Sequence, residues 1–231
     1  MSVAENKAAI EAAIGEACRA AGRPRDAVRL VAVSKQQPDE RLKDAVAAGQ
    51  RLFGENYVQE LERHQALFSG VELEWHLIGH LQTNKAKRAA ELASMVHSVS
   101  SERLAIALAK GAETRAAPLP VLVEVNLGGE ASKSGCPPEE ALRVLETIRG
   151  LPSLVARGLM CIPPPEQPPR PHFQALAALR DRAALSLGVP LPELSMGMSA
   201  DYVEAIAEGA TLVRVGSAFF GARAPKPASG G

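Results

Sequence analysis

Short apolar runs alternate along this chain with segments whose apolar residues recur at helical spacing. The first run covers 28–35, Val-Arg-Leu-Val-Ala-Val-Ser-Lys. It is rich in β-branched residues and is followed by the turn Gln36-Gln37-Pro38, which predicts a buried strand ending at Lys35. Ahead of it, 5–21 carries Ile10, Ala13, Ile14 and Ala17 on one stripe and is stopped by Gly22-Arg23-Pro24, which predicts a helix. Behind it, Pro38-Asp39 opens a second helix, with Asp39 as cap and Gly49 at its close. The same reading predicts further strands over 51–56, 73–78, 95–99, 119–126, 154–162, 193–198 and 212–215. Helices are predicted between them over 57–68, 85–93, 101–112, from 137 onward, 173–187 and 200–208. The longest irregular stretch, 163–171, is proline-rich and is expected to be mobile.

This alternation has no compositional break, so it predicts parallel strands joined by crossover helices. Eight such units in 231 residues predict a single (β/α)8 TIM barrel over 1–223 with an extra N-terminal helix. The Pro/Ala/Ser/Gly tail over 224–231 is expected to be disordered. An open doubly wound sheet is the alternative, but no G-x-G-x-x-G follows the first strand.

Composition narrows the function. Lys plus Arg equals Asp plus Glu, 26 each, so there is no global electrostatic case for nucleic acid or an anionic membrane. The basic cluster Lys85, Lys87 and Arg88 lacks stacking aromatics and reads as a solvated helix face. The start shows no apolar leader region, and no apolar run reaches membrane-spanning length. Cys18, Cys136 and Cys161 are far apart without metal-ligand spacing and read as free thiols of a cytoplasmic protein.

In barrels of this kind the chemistry sits at the C-terminal ends of the strands. Lys35 stands at the first such end, where burial would yield a nucleophilic amine able to condense with a carbonyl; the alternative is a lysine that snorkels to water. Ser199 stands before a helix as an N-cap would, and Gly216-Ser217 follows the eighth strand into another helical turn. Together they suggest a phosphate site, against the alternative of two ordinary capped turns. By alternation Arg214 shares a strand face with Gly216, or else pairs with a helix acid. Asn56 serves equally as a helix cap or a binding group. His76 and His80 flank the third strand without metal-like partners and read as structural, Lys133 reads as solvated, and Met160, Met196 and Met198 read as packing.

Eight segments in order carry a resemblance that covers nearly the whole chain. They are Ala32-Val33-Ser34-Lys35, Phe53-Gly54-Glu55-Asn56-Tyr57, Trp75-His76-Leu77-Ile78-Gly79 with Leu81-Gln82 and Asn84-Lys85, and Val125-Asn126. The others are Ser132-Lys133-Ser134-Gly135, Arg157-Gly158-Leu159-Met160, Ser195-Met196-Gly197-Met198-Ser199, and Arg214-Val215-Gly216-Ser217 with Phe220-Gly221. The chain thereby resembles the pyridoxal 5′-phosphate homeostasis proteins, a cytoplasmic family that shares the barrel of the alanine racemase N-terminal domain. The resemblance implies that Lys35 carries pyridoxal 5′-phosphate as a Schiff base. It implies that Ser199, Gly216 and Ser217 hold the phosphate, that Arg214 faces the pyridine nitrogen, and that Asn56 lies near the ring; Met196 joins the same cofactor-binding set. A guanidinium beside the pyridine nitrogen disfavours protonation there and leaves the ring a poor electron sink.

What the resemblance implies is therefore a monomeric carrier that stores, buffers or delivers the cofactor, with apo pyridoxal-phosphate enzymes as recipients, rather than a catalyst. Racemases of this barrel take a tyrosine base from a second, β-rich domain. Here the two tyrosines, Tyr57 and Tyr202, fall on predicted helices, and no base for a second ring face is evident. The competing readings are a pyridoxal-phosphate-dependent amino-acid racemase, a cofactor-free Schiff-base aldolase, and a purely structural barrel.

Overall fold

The computed structural model describes residues 1–130 and 134–221; Lys133 and the 224–231 tail lie outside them. Eight strands close into a parallel barrel in sequence order. They are β1 (Arg29–Val33), β2 (Leu52–Glu55), β3 (Glu74–Leu77), β4 (Met95–Val99), β5 (Leu119–Glu124), β6 (Leu154–Met160), β7 (Glu193–Ser195) and β8 (Leu212–Val215). The helices around them are α1 (Val3–Ala20), α2 (Asp39–Ala47), α3 (Val58–Leu67), α4 (Ala86–Leu92), α5 (Glu102–Ala112), α6 (Ala141–Arg149), α7 (Pro169–Leu187), α8 (Tyr202–Ala207) and α9 (Ser217–Phe220). The expected (β/α)8 barrel with its extra N-terminal helix is the fold observed. Among the described residues no helix is long and apolar enough to cross a membrane.

Several ends differ from expectation, each for a local reason. β1 stops at Val33 because the chain turns at once: Gln37 N–H donates to the Ser34 carbonyl (3.0 Å) and Gln36 adopts a positive φ of 57°. Asp39 is not a cap. It lies inside the first turn of α2 behind an N-cap Pro38 and pairs with Arg63 at 2.6 Å. The stretch 163–171 is irregular only as far as Pro168, because Pro169 enters α7 at the N-terminal position where a proline sacrifices no helical hydrogen bond.

The strands bury apolar side chains on both faces, as parallel barrel strands must. Inside the barrel, Val31, Leu52, Met95, Leu122, Met160 and Leu212 form one packed layer. Outside, a larger apolar shell joins strands to helices, with Phe53 stacked on Trp75 at 5.0 Å between ring centroids. α1 opens with a capping box between Ser2 and Glu5 and lies across α8 and α9. It is tied there by Asn6 Nδ2, which donates to the Phe219 carbonyl (3.0 Å). The adjoining Arg23 donates to the Ile206 and Ala210 carbonyls, both at 2.7 Å.

Candidate functional site

Lys35 lies on the turn just past β1, half-buried, with Nζ 5.6 Å from the centre of the Tyr57 ring. That is nearer the rim of the barrel than the buried strand end expected for it. What it has instead is a fixed backbone. The Ser34 hydroxyl donates to Glu55 Oε1, which also takes a hydrogen bond from His64 Nδ1 at 2.7 Å. Arg63 donates to His64 Nε2 (2.7 Å), so the ring proton sits on Nδ1, facing Glu55. On the other side of the lysine, Glu60 accepts from the backbone of Gln36. Burial first, then the charge of neighbouring Glu55, pushes the Glu60 carboxyl above its ordinary range. The lysine therefore stands between two residues clamped to the buried Glu55 and the half-buried Glu60, which holds its turn in a conformation that β-branched or bulky residues avoid.

The ends of β7 and β8 meet next to it. Gly197, at φ +90°, lets the chain after β7 press against α8; a Cβ there would lie 2.6 Å from Ala205 Cβ and 2.9 Å from Tyr202 Cα. Ser199 is not the N-cap expected. α8 begins later, after Asp201, whose carboxylate accepts from Met198 N–H at 2.6 Å. Ser199 Oγ is thereby free to face the start of α9, where it accepts from Ser217 Oγ (3.3 Å) and Ala218 N–H (3.4 Å). Gly216, the N-cap of α9, lies against Val33 of β1; a Cβ on it would sit 3.4 Å from Val33 Cβ. The structure thus brings Ser199, Gly216 and Ser217 together beside the strand that leads to Lys35.

Beneath them is Arg214, on β8 and 4% exposed. It donates to Ser195 Oγ (2.6 Å) and to the Cys161 carbonyl (2.9 Å), leaving further N–H donors of the guanidinium for another acceptor. Burial draws its pKa down, and the Cys161 thiol, Glu124 and Asp201 oppose that. Glu124, two residues after the interior Leu122 on β5, is 5% exposed, and its Oε2 has no hydrogen-bond partner. Burial pushes this carboxyl up to about 7 against the opposing field of Arg214. Glu124 lines a cavity of about 340 Å³ with Asn56, Ile78, Gly79, His80, Asn126 and Ser134, whose wall is closed by a His80–Ser134 hydrogen bond of 3.1 Å.

Asn56 does not cap α3, whose N-cap is Tyr57; it faces this cavity. Gly79 lets β3 exit against it, since a Cβ there would fall 2.4 Å from the Asn56 carbonyl oxygen. The Met196 side chain is fully buried in the shell between strands and helices, in keeping with its reading as packing, whereas Ser195 before it points inward to Arg214. The expectation missed Glu124, His97 and the Glu55–Glu60 pair. A charge two residues after an interior strand position was the available sign for Glu124, as was a histidine two residues after Met95 for His97. The three cysteines are free and buried, and no cluster fit for a metal ion exists among the described residues.

A closed parallel barrel that brings an amine, two neighbouring serine hydroxyls and a buried guanidinium to one end belongs to a class, the barrels of the alanine racemase N-terminal domain, whose sequence profile matches residues 6–224. An alanine racemase from Clostridium difficile superposes with a TM-score of 0.72 at 14% identity, over 93% of this chain and 56% of that one, which shows the shared fold alone. Within that class the chain belongs to the family of the pyridoxal phosphate homeostasis proteins. It is 46% identical over 222 residues to the member from Pseudomonas aeruginosa, covering 96% of each chain. PipY of Synechococcus elongatus, solved with PLP bound, superposes with a TM-score of 0.83 at 36% identity, over 95% of this chain and all of that one.

Proposed function

We propose that this protein binds pyridoxal 5′-phosphate at the C-terminal mouth of its barrel and serves its homeostasis in the cytoplasm, by storing, buffering or delivering it. The observation that carries this reading is the convergence of Ser217 Oγ and Ala218 N–H on Ser199 Oγ beside the turn that holds Lys35. The residues fit the group. Two hydroxyls and a backbone N–H at a helix start suit a phosphate, the Lys35 amine suits an aldehyde, and the spare donors of Arg214 suit a ring nitrogen. The names of the relatives, and the PLP seen in PipY, support the same ligand.

When bound, the cofactor supplies an aldehyde and an electron-withdrawing ring. Lys35 would hold it through an amine suited to that aldehyde. Ser199, Gly216 and Ser217 would hold the phosphate, with Asn56 on the ring side of the site. Arg214, kept cationic, would disfavour a proton on a ring nitrogen placed beside it, which would leave carbanion chemistry unpromoted and suit a carrier. Met196 contributes through packing beneath Ser195. All these groups come from one chain, so a monomer is complete, and apo pyridoxal-phosphate enzymes are the recipients.

Borohydride reduction followed by intact mass and peptide mapping tests this. The expected result is a pyridoxyl-phosphate adduct on Lys35. An unmodified protein after incubation with excess pyridoxal phosphate would overturn it. One observation favours a second reading, a pyridoxal-phosphate-dependent racemase: Glu124, poised at about 7, is the kind of group that a second base requires. Steady-state turnover of D- or L-amino acids, lost on both Lys35→Ala and Glu124→Gln, would establish that reading instead.

A further inference from the structure

His76 on β3 and His97 on β4 lie wholly inside the barrel, and the reading above gives them no part. They belong to a continuous file of hydrogen bonds. At the N-terminal face, the half-exposed pair Arg29 and Glu74 are in contact. Glu74 Oε1 lies 2.8 Å from His76 Nε2, and His76 Nδ1 lies 2.8 Å from His97 Nε2. His97 Nδ1 lies 2.9 Å from Ser195 Oγ, and Ser195 Oγ accepts from Arg214 at 2.6 Å. The file joins the solvent-facing base of the barrel to the guanidinium under the mouth.

Its direction follows from proton inventory. Arg214 can only donate, so Ser195 Oγ accepts there. The contact with His76 and the ion pair with Arg29 hold the Glu74 carboxyl down at about 2, so it too can only accept, and His76 Nε2 carries a proton. A neutral His76 then has a bare Nδ1, which makes His97 Nε2 the donor. A neutral His97 in turn has a bare Nδ1, and the Ser195 proton goes to it. Every polar atom in the file is satisfied in this one arrangement. The groups that face the two rings are Glu74 and Arg29 at the base, Glu193 from β7, and Arg214 above. Burial, then the neighbouring His76, Arg214 and Arg29, keep His97 neutral; burial does the same for His76 against the pull of Glu74. A second proton on His97 would aim Nδ1–H at an oxygen that already accepts from Arg214 and would leave the serine proton without its acceptor.

We infer that His97, acting with Ser195 and His76, is a positioning residue: the file draws the Ser195 proton away from Arg214, so that the serine lone pairs hold the guanidinium in one orientation at the floor of the site. The consequence for a bound cofactor rests on the pyridoxal-phosphate reading; the orientation of Arg214 does not.

Two measurements test it on the full-length, ligand-free protein. Long-range 1H–15N NMR should find both imidazoles neutral with the proton on Nε2, unchanged between about pH 7 and 8. An Nδ1–H tautomer or an imidazolium at either histidine would overturn the inference. His97→Leu removes donor and acceptor together, whereas His97→Gln retains one of each. The leucine variant should shift the Arg214 Nη1–H resonance and speed its exchange with solvent about tenfold, the equivalent of one lost hydrogen bond, and the glutamine variant should restore most of it. An Arg214 resonance unmoved in His97→Leu would reduce the file to packing. Should that variant not fold, the imidazole tautomers of the parent protein decide the inference by themselves. When pyridoxal phosphate is added, the leucine variant should also shift the absorbance of the bound ligand. Because the Arg214 signals are read without ligand, failure of the cofactor to bind and failure of the file give separate results.

Discussion

Replacing Glu124 by glutamine should make the protein more stable, and only above the acid range. The carboxyl is 5% exposed and has one oxygen without a partner, so its charged form is poorly accommodated. Its ordinary value is 4.5, and burial carries it to about 7 in the folded chain. The folded state therefore holds this proton more tightly than the unfolded state does. Below 4.5 both states are protonated and the site costs nothing; above about 7 both are ionised and the full penalty applies. Stability drains away as pH rises between those limits. At 1.36 kcal/mol for each pH unit, the penalty reaches ~3 kcal/mol. Glu124→Gln keeps the shape and removes the ionisation. The difference between variant and parent should be smallest near pH 4.5 and grow to ~3 kcal/mol by about pH 8. In a chain of this length that corresponds to roughly 6–12 °C in Tm. Urea melts of the ligand-free protein across this range measure it directly. A difference independent of pH, or a Glu124 carboxyl seen by 13C NMR to titrate near 4.5, would refute the reasoning.

Two other substitutions probe the mouth. Gly79→Ala places a methyl 2.4 Å from the Asn56 carbonyl oxygen and 2.6 Å from its Cα, where only backbone can yield. It should cost about 1–3 kcal/mol in chemical denaturation and weaken ligand binding by moving Asn56. Ser199→Ala combined with Ser217→Ala removes both hydroxyls of the proposed phosphate site; affinity for pyridoxal phosphate, read by fluorescence titration, should fall about ten- to hundredfold with little change in Tm. An unaltered affinity would move the phosphate elsewhere.

The barrel was legible because its signal is cumulative. Each strand in isolation is ambiguous, but strand and helix alternating along the chain admit few topologies, and the strand over 95–99 and the helix ending at Ala112 came out to the residue. The ends that moved are those set by contacts distant in sequence. β1 closes before Lys35 because Glu55 and Glu60 clamp the turn, and no local pattern near residue 35 reports those partners. Ser199 carries every local mark of a cap, yet Asp201 takes the position and Ser199 turns to α9 instead. Met196 shares a motif with Ser199, but strand alternation sends its side chain to the opposite face from Ser195. The interior polar file was the least legible feature, since its members come from five strands and become neighbours only when the barrel closes.

The tie between α1 and the last two helices carries a consequence for the order of events during synthesis. α1 leaves the ribosome before any strand of the barrel, and β8 and α9 leave after the other seven strands. Until β8 and α9 emerge, β1 lacks one edge partner, the base of the barrel stands open, and Ser217 and Ala218 have not reached Ser199. A nascent chain therefore has Lys35 long before Ser199, Ser217 and Ala218 stand together. Under the proposed function, capture of a phosphorylated ligand waits for β8 and α9, and a translation product cut short before β8 carries the Lys35 amine without that neighbouring cluster.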